Sequence, residues 1–85
     1  MPDEPMLREK ARAAIQSGKL PKAKPDRTFG GAGSNMRCPV CEQSVTSDQR
    51  EIELEYNRHG TNPGLDRYYL HPRCFAAWEF ERTKA

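Results

Sequence analysis

The sequence predicts a small α+β domain, and three observations support this fold class. Only 35% of the 85 residues are hydrophobic and 31% are charged, so apolar burial is too small to offset the chain entropy of the whole length. Residues 51–56 alternate strictly between polar and apolar side chains, which is the pattern of a half-buried strand. Four side chains of metal-ligating type fall into two short pairs: Cys38 with Cys41, and His71 with Cys74.

The two pairs predict one tetrahedral zinc site. Structural zinc takes four ligands, commonly three thiolates and one imidazole, and this set uses every cysteine of the chain. Pro39 favours a tight turn, or knuckle, between the first two ligands. Pro72 suits the first position of a helix that carries the second two on one face. The predicted ligands of a single structural Zn²⁺ are Cys38, Cys41, His71 and Cys74.

Other interpretations of these residues are weaker. A Cys-x-x-Cys pair also occurs in redox proteins, but there it belongs to a βαβ unit, whereas a glycine-rich segment precedes it here. Three unrelated buried cysteines and a surface histidine would not explain why all of them fall into ligand-spaced pairs. His59, the second histidine, has no cysteine at that spacing and is predicted to be exposed in a loop.

The charge of the chain is divided unevenly. The net charge is +2, with eight Lys/Arg against four Asp/Glu in residues 1–37 and six against eight in residues 38–85. The basic part is therefore the N-terminal arm. An odd number of cysteines argues against a disulfide framework, and no apolar run suits a membrane span or a signal peptide. These features predict a cytoplasmic protein without membrane contact.

Residues 1–18 are predicted to form an N-terminal helix, with Asp3 as its N-cap and Gly18 as its stop. A narrow apolar stripe at helical spacing consists of Leu7, Ala11, Ala14 and Ile15. Two interpretations stay open: a short solvated helix that is marginal alone, or a helix that docks on the metal module or on a partner. Residues 19–36 are rich in Pro, Gly and Lys and are predicted to be a flexible linker.

The predicted zinc-binding domain covers residues 37–85. Residues 51–56 and 65–70 form an antiparallel hairpin that delivers His71 to the metal, with three glutamates of the first strand facing water. Its inward-facing side chains are Ile52, Leu54 and Tyr56. The last helix runs from Pro72 to about residue 83, and its aromatic side chains at 75 and 78 pack on the hairpin.

This order of knuckle, hairpin and ligand-bearing helix resembles the treble-clef zinc finger over residues 38–82. The chain also resembles a group of small, uncharacterised bacterial proteins. In these, a basic helix and a glycine-rich segment precede a Cys-x-x-Cys knuckle, and a His-x-x-Cys with an aromatic helix closes the module. The matching motifs here are Gly30-Gly31-Ala32-Gly33, Cys38-Pro39-Val40-Cys41 and His71-Pro72-Arg73-Cys74. The resemblance implies a fold but no activity, because treble clefs host many functions.

Two binding functions follow from these features. The first is a monomeric structural zinc module that binds an unidentified protein partner or regulates it, with Phe29 and Phe80 as exposed apolar candidates. The second is nucleic-acid binding through the basic arm, which the acidic strand and the modest net charge oppose. The cations concerned are Lys10, Arg12, Lys19, Lys22, Lys24 and Arg27, and the acidic residues are Glu51, Glu53 and Glu55.

An enzyme is the least favoured class. Nucleases of the HNH type use extra histidines and an asparagine beside a catalytic metal, and Asn57 and His59 are the candidates for those roles. No further histidine remains once His71 is assigned to zinc, and four good ligands leave no open coordination position for hydrolysis. The sequence therefore favours a protein that is not an enzyme.

Overall fold

The computed structural model describes residues 3–84, which form two helices and one three-stranded antiparallel sheet. In chain order the elements are α1 (Glu4–Gln16), β1 (Arg27–Ala32), β2 (Arg50–Arg58), β3 (Gly64–Leu70) and α2 (Pro72–Arg82). The central strand is β2, which pairs with β1 on one side and β3 on the other. The predicted α+β class is confirmed at this level, with one strand more than the sequence indicated.

The first helix begins and ends at its capping residues. The Asp3 carboxylate accepts a hydrogen bond from the Met6 backbone N–H at 3.1 Å, and Gly18 adopts a left-handed φ of 83° just past the helix end. The buried stripe of α1 packs against α2, so the docked interpretation is confirmed. The buried residues of the two helices are Leu7, Ala11 and Ala14 in α1, and Cys74, Ala77, Trp78 and Glu81 in α2.

The segment assigned to a flexible linker is tied to the fold at several points, so that expectation is wrong. Leu20 is buried, the carbonyl of Pro21 accepts a hydrogen bond from Trp78, and the carbonyl of Ala23 accepts one from the Tyr56 hydroxyl. A proline-containing segment makes few internal hydrogen bonds, which leaves its carbonyls available for side chains of the folded module. The division of the chain at residues 18 and 36 itself stays a prediction.

Strand β1 lies inside that segment and was not predicted. It pairs with β2 in a register that places Arg27 opposite Glu55 and Ala32 opposite Arg50. Every β1 residue is exposed, so this edge strand joins the sheet through its backbone and not through an apolar stripe. Backbone pairing does not require a hydrophobic pattern. The glycines of this segment therefore led to a prediction of flexibility, although the structure has a hydrogen-bonded strand here.

Gly33 occupies a position that no other residue fits. A Cβ built there would lie 2.0 Å from the Thr46 carbonyl oxygen and 2.5 Å from that of Val45. The Gly33 N–H also donates to the Gln49 carbonyl at 2.9 Å. The glycine-rich stretch therefore allows two backbone segments to pass closely.

The hairpin of β2 and β3 has the predicted direction, and Leu54 is fully buried while Ile52 and Tyr56 are partly buried. The expectation that three glutamates of β2 face water is wrong for two of them, since Glu51 is 5% and Glu55 is 8% exposed. The reason is that residues 19–36 pack beside β2 and supply Ser34 to Glu51 and Arg27 to Glu55, partners that a two-stranded hairpin lacks.

The two buried glutamates are held by different groups. The Ser34 N–H and hydroxyl both donate to the Glu51 carboxylate, the hydroxyl at 2.6 Å. The Glu55 carboxylate accepts hydrogen bonds from Arg27 on β1 and Arg67 on β3. The hydrogen bond from Arg27, followed by that from Arg67, lowers the pKa of Glu55.

Helix α2 follows the prediction closely. Trp78 is fully buried, and the Phe75 ring lies 5.9 Å from it between centroids. Phe80 remains 44% exposed, with the Arg8 guanidinium carbon 4.2 Å from its ring centroid. Within residues 3–84, neither helix has the length and apolar character needed to cross a bilayer.

Candidate metal centre

The four predicted ligands converge where the knuckle meets the start of α2. The possible ligand atoms of Cys38, Cys41, His71 and Cys74 all lie within 4.8 Å of one another. His71 Nδ1 is 3.4 Å from Cys41 Sγ and 4.0 Å from Cys74 Sγ. Three of the four side chains are buried, and Cys41 is partly exposed. These residues could hold one metal ion, although the first and last of them lie 36 positions apart along the chain.

The first pair lies on a turn that backbone hydrogen bonds close. The Glu42 N–H donates to the Cys38 carbonyl at 2.8 Å, and the Cys38 N–H donates to the Gln43 carbonyl at 2.9 Å. A single β-bridge joins Arg37 to Ser44 on either side of the turn. Glu42 has a φ of 64° in the left-handed region, which reverses the chain directly after the second ligand.

The second pair lies at the start of α2, as its proline predicted. His71 is the N-cap residue with extended backbone, and Pro72 follows at the first helical position. The Phe75 N–H donates to the His71 carbonyl at 2.8 Å, which closes the first turn. Cys74 thus projects from the same turn that begins beside the imidazole.

Gln49 orients the histidine and was not identified from the sequence. Its Oε1 lies 3.1 Å from His71 Nε2 and also accepts the Thr46 N–H at 3.0 Å. Because an amide oxygen only accepts, this contact places the imidazole proton on Nε2 and leaves the Nδ1 lone pair towards the sulfurs. The Thr46-x-x-Gln49 spacing is typical of a capping box and could have indicated the local bond. It could not have indicated the contact with His71.

The electrostatics of the cluster favour a bound cation. A hydrogen bond from Cys74 lowers the pKa of Cys38 to about 4, against the effect of burial. Burial raises the pKa of Cys41, and the contact with Cys38 raises that of Cys74. One thiolate is therefore stabilised while charge on the other two sulfurs is disfavoured. A metal ion removes this conflict, because its charge stabilises all three thiolates together.

The structure does not bring the nuclease candidates to this cluster. Asn57 pairs with Leu65 at the far end of the hairpin, whereas Leu70, next to His71, pairs with Ile52. Those two pairs lie five strand positions apart, which corresponds to about 17 Å. The Asn57 side chain instead accepts a hydrogen bond from Arg27 at 2.6 Å, and His59 is exposed in the loop that follows β2.

No protein-family model matches this chain, and comparisons with curated proteins and with solved structures found no match. The resemblance to treble-clef zinc fingers stays a prediction.

Proposed function

We propose that this protein is a structural zinc module of treble-clef type that binds another protein. The convergence of the four ligand atoms within 4.8 Å carries this proposal. A tetrahedral zinc with bonds of about 2.3 Å to sulfur and 2.0–2.1 Å to nitrogen separates those ligands by about 3.6 Å. The observed distances from His71 Nδ1 to the sulfurs of Cys41 and Cys74 are 3.4 and 4.0 Å.

The donor set supports a structural rather than a hydrolytic metal. Three thiolates and one imidazole complete the tetrahedron, whereas a hydrolytic zinc keeps a position open for water. A structural zinc contributes roughly 10–16 kcal/mol to the folding of comparable modules. The free energy of unfolding of a whole domain is only about 5–15 kcal/mol. The metal would therefore decide whether the knuckle and α2 stay together.

Exposed apolar side chains support a protein partner. Phe29 on β1 is 47% exposed, and Leu65 on β3 is 40% exposed on the same face of the sheet. Within residues 3–84, both helices lie away from that face, since the side chains of Leu54 and its inward neighbours on β2 pack on the opposite side. The charged row of Arg27, Glu55 and Arg67 lies between these two side chains, so each would supply a separate apolar contact to a partner.

Nucleic-acid binding is the second candidate, and the ion pairs of the basic arm weaken it. Arg12 is paired with Glu81 and Lys19 with Glu42, and Arg27 is committed to the Glu55 carboxylate. The cations of the arm without an ion pair in residues 3–84 are Lys10, Lys22, Lys24 and Arg37. Four unpaired cations provide a small footprint for phosphate.

Metal analysis combined with NMR tests the proposal. We expect purified protein to contain one zinc per chain, and its amide spectrum to collapse when a chelator removes the metal. Cys74→Ser should bind zinc more weakly and melt at lower temperature. A metal-free protein with an unchanged, dispersed spectrum would contradict the structural role. Titration with a DNA duplex and a single strand at two salt concentrations tests the second candidate, because phosphate contacts weaken steeply as salt rises.

A further inference from the structure

A cleft lies between the C-terminal half of α1 and the knuckle, and its rim is basic. The cleft of about 280 Å³ is bordered by Lys10, Lys19 and Glu42. An adjoining cleft of about 320 Å³ shares Lys19 and Glu42 and adds Arg37. We call the two together the knuckle cleft. Three cations and one carboxylate give its rim a net charge of +2.

The three cations surround a carboxylate of the protein itself. Lys19 Nζ donates to Glu42 Oε1 at 2.9 Å. Lys10 and Arg37 border the same two clefts as this carboxylate. Neither Lys10 nor Arg37 has a direct ion pair of its own within residues 3–84. The rim therefore binds one carboxylate already and has cationic capacity for another.

The internal carboxylate is easily displaced. The side chains of Lys19 and Glu42 are 53% and 56% exposed, and an ion pair so open to water contributes little to stability.

The floor of the cleft is apolar and favours a peptide over a nucleic acid. Ala13 and Ala14 of α1 face Pro39 and Val40 of the knuckle across it. A peptide can place a carboxylate on the rim and a neighbouring aliphatic side chain on this floor. A nucleic acid needs a longer track of cations for successive phosphates, and this rim is compact.

We propose that the knuckle cleft binds an acidic peptide segment of a protein partner, whose carboxylate replaces that of Glu42 on Lys19. This inference rests on the proposed protein-binding function and adds a binding surface distinct from the exposed Phe29 and Leu65 of the sheet, together with the chemistry of its ligand. Glu42 then acts as an internal competitor that occupies the site until an acidic segment displaces it.

The test is an NMR titration of the zinc-loaded, ¹⁵N-labelled protein with a blocked peptide of alternating Glu and Leu. The same peptide with Gln in place of Glu is the control ligand. We expect the acidic peptide alone to shift the amides of Lys10, Lys19 and Glu42. Glu42→Gln should tighten binding about three- to tenfold, and Lys10→Glu should weaken it about tenfold, as expected for charge-assisted contacts. Lys22→Glu changes the net charge as much as Lys10→Glu does but lies outside the cleft, so it should have little effect on the affinity for the peptide.

Several outcomes would overturn the inference. Shifts that are absent, that lie outside the cleft, or that are equal for the Gln peptide contradict an acidic partner. An equal loss of peptide affinity in Lys22→Glu and Lys10→Glu also contradicts the inference. If a thymidine oligonucleotide or inorganic phosphate binds these residues more tightly than the peptide does, the ligand of the cleft is a phosphate group and not an acidic peptide. Because metal content and spectral dispersion are measured on each sample, loss of the zinc fold is distinguished from failure of this cleft.

Discussion

Trp78 donates its indole N–H to the main-chain carbonyl of Pro21 at a distance of 2.9 Å. The bond links two residues that are 57 positions apart, and the Trp78 side chain is fully buried. Leu20, adjacent in sequence, belongs to the same core cluster. The N-terminal half is therefore joined to α2 by a buried polar contact as well as by helix packing, and this contact fixes the path of the segment between α1 and β1.

Trp78→Phe should lower the free energy of unfolding by about 1–3 kcal/mol, because the Pro21 carbonyl loses its donor and the smaller ring leaves a void. Urea unfolding of the zinc-loaded protein measures this change. Tyr68→Phe is the control, because the Tyr68 hydroxyl has no hydrogen bond within residues 3–84 and the ring is kept. Equal stability of the two variants would show that the indole contact contributes nothing.

Gly33→Ala should destabilise the fold by roughly 1–3 kcal/mol or more, since the added methyl group meets the backbone oxygen of Thr46 and neither backbone segment can shift without cost. Gly31→Ala is the matched control in β1, where an added Cβ meets nothing within 4 Å. We expect that control to stay within about 0.5 kcal/mol of the parent. Thermal melts of both variants check the difference, and a stable Gly33→Ala protein would contradict the close approach of the two segments.

Gln49→Ala should weaken zinc binding by about 10–100-fold, because the imidazole of His71 loses the acceptor that fixes its proton on Nε2. Competition with a chromophoric chelator measures the affinity. The control is Gln43→Ala, which removes an exposed amide near the knuckle and leaves the backbone bond from Cys38 to residue 43 intact. If both variants hold zinc as tightly as the parent, Gln49 does not orient the ligand.

The ion pair between Arg12 and Glu81 should make stability depend on pH. The Arg12 hydrogen bond, at 2.9 Å, lowers the pKa of the buried Glu81 carboxyl from its usual 4.5. A lowered folded-state pKa stabilises the fold above the unfolded value, and this contribution disappears as the pH falls through the folded value. Arg12→Met should therefore be less stable than the parent at pH 7, and the difference should shrink as the pH falls below about 4.5.

Unfolding of both proteins in urea across this pH range measures that difference. Acid release of the metal affects parent and variant alike, so the comparison is made between them at each pH. Lys10→Met removes a cation from the same helix that has no ion pair in the described residues, and it should leave the pH profile unchanged. If the free energies of unfolding of Arg12→Met and the parent differ by the same amount at every pH, the ion pair is not the cause of that difference.

The local sequence determined the features that depend on short spacings. The N-cap at Asp3, the helix stop at Gly18 and the start of α2 at Pro72 all lie where capping chemistry places them. The grouping of the two ligand pairs also followed from spacing alone, because residues three apart on a turn or helix point to one place. Alternation of side chains located most of β2 for the same reason.

Tertiary structure alone decided the route of residues 19–36. Edge strand β1 has no apolar pattern, and its ladder is made by backbone groups that every residue except proline carries. Its presence also decided that Glu51 and Glu55 are buried, since their partners Ser34 and Arg27 come from that segment. Gln49 likewise meets His71 only because two distant turns pack together. Helix capping and ligand spacing depend on neighbouring residues, whereas pairing between distant segments forms only when the chain folds.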